Sequence, residues 1–443
     1  MVRYAYTSVV LIVFLCCHFA SAIDEPGTAT TTRPEINQLV QEVQQIKNTD
    51  CRRLLLNRLG THFIHSGETQ SAVEIAHFLD DLHFSTDGDA IVVALMASFT
   101  RPTQIKNAEA IADEFPGLRR WTMLALFKGL FGAGEIESAR SMISKIPDDL
   151  ERIEADAMLV SLISDVNERR RAFDGLLDRS RDVFLPESRD WAFMTIARGE
   201  ALSRDSAGVI RTSYLISNQD MRYACLASML EVAKADRATI TATIAKIEND
   251  SRGASPFQQL QMAQGKTGLA AVLVEELLAA GDFDSAAKIA EEQHGGARAA
   301  VALATYQATR NDVEHATQWL KLADYRQEDV AIRVATNCHR LHHDAEANAF
   351  FSKAKELALK SDVARNSALS DVGKCAIELG DVSSAEQLLG ELNEAGTARW
   401  ELIIEIAKAK ASTDHKIAEA WANLLKSAED RTAAHVGMVA NAE

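Results

Sequence analysis

The chain has 443 residues, and its 63 acidic against 47 basic side chains leave a formal net charge of −16. So acidic a composition argues against a general nucleic-acid or anionic-membrane binder, since both need clustered basic charge. The length alone would allow two or three globular domains, but a repeat array grows along one axis and escapes that count.

Residues 1–22 read as a secretory signal peptide. Arg3 supplies the positive start, Val9 to Cys17 form an apolar core too short to span a bilayer, and Ala20-Ser21-Ala22 is a small-residue cleavage site. Phe14 and Leu15 before Cys16 do not suit a lipoprotein signal. The expected location is therefore secreted or periplasmic, and no later apolar run reaches the roughly 18 residues that a membrane span needs. Residues 23–35, with Pro26-Gly27 and a Thr-rich run, have no apolar period and read as a flexible tether. Ile36, Leu39, Val40, Val43 and Ile46 then follow helical spacing and predict an N-terminal cap helix.

From there one short pattern recurs: Gly, an acid, two variable residues, Ser, Ala. It stands at Gly67 to Ala72, Gly134 to Ala139, Gly281 to Ala286 and Gly380 to Ala385. Degraded copies end at Ala108, Ala172, Ala207, Thr241, Ala316, Ala347 and Ala418. The mean interval is about 35 residues, the mark of a helical repeat array. The Gly accepts the left-handed backbone that ends a helix, and the acid sits at the start of the next, where the dipole favours negative charge. The Ala lets two helices approach closely. Each unit is thus a pair of helices whose apolar faces need stacked neighbours.

Leu59-Gly60, Phe63, Gly67 and Ala72 resemble the tetratricopeptide repeat, as do Val372-Gly373 with Gly380 and Ala385, and Ala347, Phe351 and Ala354. The likeness covers residues 36–430; the aromatic after Leu-Gly is mostly missing, and the closing Pro survives only as Pro116 and Pro147. The resemblance implies an all-α fold, an α-solenoid of antiparallel helix pairs in a right-handed superhelix. One step, from Thr241 to Ala286, is too long and holds the breaker cluster 249–256, which reads as a joint between a first half, 36–250, and a second half, 251–443, closed by a C-terminal cap. Cys51, Cys225, Cys338 and Cys375 sit singly in apolar helical positions of different units, which favours free buried thiols over bridges.

Gly265-Lys266-Thr267 looks like the end of a phosphate-binding loop, but Leu260 stands where the loop needs its first Gly and no strand precedes it. His339 and His343 are i,i+4 neighbours beside Cys338, His342 and Asp344, a weak metal candidate because two ligands on one helix do not complete a site. A distributed feature is a row of arginines near the start of each first helix: Arg52, Arg120, Arg152, Arg189, Arg222, Arg298, Arg365 and Arg399. Trp121, Trp191 and Trp400 lie beside them. Helix N-termini disfavour cations, so the row needs another gain. Either each Arg pairs with an acid of a neighbouring unit, or the row lines a groove and grips carboxylates of an acidic partner. No hydrolase elbow, zinc helix or Cys-x-x-Cys is present. The expectation is an exported, non-catalytic binding or scaffold protein without cofactor, taking a protein or peptide along its groove. A helical-toroid enzyme acting on polysaccharide is the rival reading.

Overall fold

The computed structural model describes residues 33–440 except 184, 253, 293–295, 324–325 and 362–363. The expected signal peptide, 1–22, and residues 23–32 of the expected tether lie outside the described residues, and Arg33 to Glu35, expected in the tether, are already helical. Among the described residues there are 24 α-helices and no strand. They form eleven successive pairs between a first helix, Arg33–Gln45, and a last one, Ala428–Val439.

The turn within a pair has one backbone form in eight of the eleven. Gly67, Gly134, Gly281 and Gly380 take positive φ there, but so do Arg204, Lys234, Asn311 and His342, with φ from 51° to 81° across the eight. After each, the next N–H donates to the carbonyl five residues back at 2.8–3.2 Å, as in Glu68 to Phe63, Asp205 to Glu200 and Asp381 to Ala376. This bond satisfies a carbonyl that the helix end would otherwise leave open. The acid that follows is a helix cap where it is Asp: the carboxylates of Asp205, Asp282, Asp312 and Asp381 accept from the N–H three residues on, at 2.9–3.2 Å. Glu68 and Glu135 make no such side-chain cap.

Ala72, Ala108, Ala139, Ala286, Ala316, Ala347, Ala385 and Ala418 are buried to within 1% of completely. Ala207 and Thr241 are exposed, and Ala172 is half-buried beside Phe173. The small-residue slot falls instead on Val209, five residues past Arg204, and on Ile240, where the extra Ala235 moves it by one; both are 0% exposed. Cys51, Cys225, Cys338 and Cys375 are buried, and none of them forms a disulfide among the described residues.

The helices divide into two compact units, residues 1–147 with 361–443, and 148–360. In the first unit the first and last described helices pack together. The helix Arg33–Gln45 lies on Ala428–Val439 and on Thr49–His65, which in turn meets Thr397–Thr413. Leu39, Val43 and Ile46 are buried on one side of this seam, and Val436, Met438 and Val439 on the other. Gly437 allows the last helix its close approach, for a Cβ there would stand 2.3 Å from the Ile404 carbonyl oxygen. Arg399 donates to Asp430 at 2.9 and 3.1 Å and to the Leu389 carbonyl at 3.0 Å. Arg58 reaches Glu405 at 3.6 Å. Burial pushes the Cys51 thiol up to about 12, with Glu429 and Asp430 adding to the shift.

The second unit holds a continuous core running through Phe173, Ile196, Leu226, Ile240 and Leu273. The breaker cluster at 249–256 lies inside this unit, where it separates Arg237–Asp250 from the long helix Pro256–Ala279. Ser255 and Gln258 cap that helix reciprocally, with Pro256 at its first position. Gly265 is needed for close packing, since a Cβ there would stand 2.4 Å from that of Tyr223, and Lys266 reaches Glu248 at 3.3 Å.

Candidate functional site: a groove across three first helices

The second unit carries a shallow groove of about 430 Å³ across the first helices of three successive pairs. The helix Pro256–Ala279 contributes Glu275, Leu278 and Ala279. Gly296–Ala308 contributes Arg298, Val301, Ala302, Thr305 and Tyr306, residues three or four apart that share one face. Arg333 and Asn337 from Gln327–Arg340, with Leu341 just past its end, form the third wall at strict i,i+4 spacing.

The floor is aliphatic and the polar groups are mostly engaged. Arg298 donates to both oxygens of Glu275 at 2.7 and 2.5 Å and to both of Glu231 at 2.7 and 2.8 Å. These two carboxylates hold its guanidinium firmly charged, above its usual range. The Asn337 amide donates to the Thr305 hydroxyl at 3.4 Å. The Tyr306 ring stacks on Phe283 with centroids 5.5 Å apart, and the Arg310 guanidinium lies 3.5 Å from its centroid. The ring is therefore already engaged by two side chains.

Of the arginine row, Arg298 alone lines this groove. Arg365 and Arg399 pair with acids of the following helices, Glu391 at 3.2 Å and Asp430. Arg152 pairs with Asp149 of its own helix, and Arg120 lies 4.8 Å from the ring centroid of Trp121. Arg189 and Arg222 do something that neither expectation covered. Each bends back to the carbonyl six residues earlier, Val183 at 3.0 and 3.2 Å and Ile216 at 2.7 and 2.9 Å. Arg169 and Arg431 do the same to Ile163 and Leu425, and Arg52 reaches Gln44 at 3.4 Å. These carbonyls end the preceding helix or its linker and carry partial negative charge, so the cation gains from them what it loses at its own helix start. Replacing Arg189 and Arg222 together by Gln is expected to cost about 2 kcal/mol and lower the melting temperature by about 5 °C. A thermal scan indistinguishable from the parent would refute the capping role. Trp400 is buried at 3% exposure, while Trp121 and Trp191 are half-buried.

The histidine cluster does not converge. His339 Nδ1 meets Asp344 at 2.8 Å, His343 Nδ1 lies 3.7 Å from Glu346, and His342 occupies the left-handed turn position. Among the described residues no three His, Cys, Asp or Glu side chains are placed to hold a metal ion. Glu200 is another matter: it is fully buried, accepts from Arg211 at 3.1 Å, and lies near Cys225, whose thiol accepts from Ser213 at 3.4 Å. Burial pushes the Glu200 carboxyl up to about 7, against the opposing pull of the Thr212 hydroxyl and the Arg211 guanidinium. Its enclosure keeps it from any reactant in solution.

Arg333, Asn337, Thr305 and Tyr306 were not singled out by sequence. The signal was there in the spacing 298, 302, 305 and 333, 337, 341, which sets each group along one side of its helix, next to the buried Ala299-Leu303 and Val330-Val334. No family model matches the chain, and no curated protein matches it. No helix among the described residues is long and apolar enough to cross a membrane.

Proposed function

We propose that the chain is an exported, non-catalytic binding or scaffold protein, a tetratricopeptide-like solenoid that takes a protein or peptide segment along the groove of its first helices. The observation that carries this reading is the groove itself, lined by the same face of three successive first helices. Side chains that vary between units line it, as expected where repeated residues build the scaffold and the others read the ligand. A helical-toroid enzyme remains the second reading because the first and last described helices meet. Two features count against polysaccharide chemistry in this groove. Both oxygens of Glu275 are bound by Arg298, so it does not supply a free acid or base. Tyr306 is already engaged by Phe283 and Arg310, so its ring is not free for a sugar to stack on without displacing one of them.

A photo-crosslinking amino acid at Ala302, compared with one at the exposed Glu291, tests the reading in the native host. One recurrent protein or peptide should be captured from Ala302 only, and the recovered chain should begin at Ile23. Equal labelling from both positions, an N-terminus at Met1, or release of reducing ends from polysaccharides by the purified protein would each remove the corresponding part.

A further inference from the structure

One cation in the groove stands apart. Arg333 is exposed, and among the described residues no carboxylate, carbonyl or ring engages its guanidinium. Its neighbours are spoken for: Arg298 is held by Glu231 and Glu275, and Arg310 lies on Tyr306 and donates to that residue's own carbonyl at 3.0 Å. The two groove arginines thus differ, Arg298 being compensated twice over and Arg333 not at all among the described residues. Beside it the floor is aliphatic, with Val301, Ala302 and Leu341, so the surface offers one planar fork for a carboxylate and one apolar patch.

We propose, building on the groove reading above, that the ligand is an extended peptide segment carrying an internal Asp or Glu for Arg333 and an aliphatic side chain next to it for the floor. The size points to an extended segment: about 430 Å³ holds a few residues, whereas a helix with its side chains is about 10–12 Å across. The carboxylate is that of a side chain. Capture of a chain terminus uses a nest of free backbone N–H groups, whereas Arg333 and the lining residues Val301, Ala302, Thr305 and Asn337 lie past the first turns of their helices, where backbone donors pair within the helix. Arg298 is not the anchor, since a ligand would first have to displace two carboxylates.

The test uses fluorescence anisotropy of the full chain with labelled seven-residue peptides blocked at both ends, of the form Gly-Ser-Leu-Glu-Val-Ser-Gly, beside the Gln analogue and a version ending in a free carboxylate after Val. The Glu peptide should bind about tenfold more tightly than the Gln one at low salt, as one charge-assisted contact implies. Arg333→Gln should bring the two to equal affinity without moving the melting temperature, and Arg333→Lys should restore part of the preference. Equal binding of the Glu and Gln peptides to the parent protein overturns the acidic anchor and leaves the groove reading standing. Tighter binding of the free-carboxylate peptide overturns the choice of an internal side chain. Binding of none of the peptides overturns both readings.

Discussion

Replacing Arg399 by Leu lowers the stability of the first unit by about 3–5 kcal/mol, and its melting temperature by about 10 °C. Asp430 is 2% exposed, and Arg399 is the cation that meets it. Removing that cation leaves a carboxylate in a dry seam, which is worse than removing both charges. The double variant Arg399→Leu/Asp430→Leu should therefore recover most of the loss, because two apolar side chains leave no uncompensated charge. Thermal and urea unfolding of the parent, both single variants and the double variant close the cycle. A single variant that melts with the parent would show that water reaches Asp430, and the seam would then not be dry.

The second large effect depends on pH. The Glu200 carboxyl titrates near 7 in the folded protein against an ordinary 4.5. Its proton is thus held more tightly by the folded state, so stability is greatest below about pH 4.5 and falls as the pH rises towards 7. Above that range the buried charge costs about 3 kcal/mol. Glu200→Gln removes the titration and keeps the shape, so the variant should match the parent at pH 4.5 and exceed it by about that amount at pH 8. Urea unfolding at both pH values reads the difference directly. A gain of equal size at both would mean that Glu200 is ionised throughout and its penalty lies elsewhere. The fit around it is tight: a Cβ on Gly208 would stand 2.9 Å from the Glu200 carboxyl carbon.

The helix pairs were legible because their signals are local. Gly67, Gly134, Gly281 and Gly380 mark turns in the residue type itself, and the acid and the small residue follow at fixed steps. Where Arg204 and Lys234 occupy the same left-handed position, nothing in the residue announces it, and the slot was placed at Ala207 and Thr241 instead of Val209 and Ile240. The arginine row shows a different limit. Spacing put Arg189 and Arg222 at helix starts correctly, but a guanidinium on a long stem reaches a carbonyl behind it as easily as an acid beside it, and sequence spacing does not distinguish the two. The groove was expected from the first helices as a class, yet Arg333, uncommitted among the described residues, lies outside the row that drew attention. The contact between the chain ends had no local trace at all, since Arg58 and Glu405 are joined only by tertiary packing.

That contact has a consequence for how the protein is made. In a linear array every helix finds its partners within the next few dozen residues, so the chain folds as it emerges. Here the helix Arg33–Gln45, with Leu39 and Val43 buried, packs both on its neighbour Thr49–His65 and on a helix that begins at Ala428, almost 400 residues later. Synthesis at about 5–20 residues per second puts tens of seconds between the two, during which the last helix's share of that cover is missing. The packing of the first described helix is thus completed only at the end of synthesis, and a protein truncated near its C-terminus would lose part of the cover of residues 33–45.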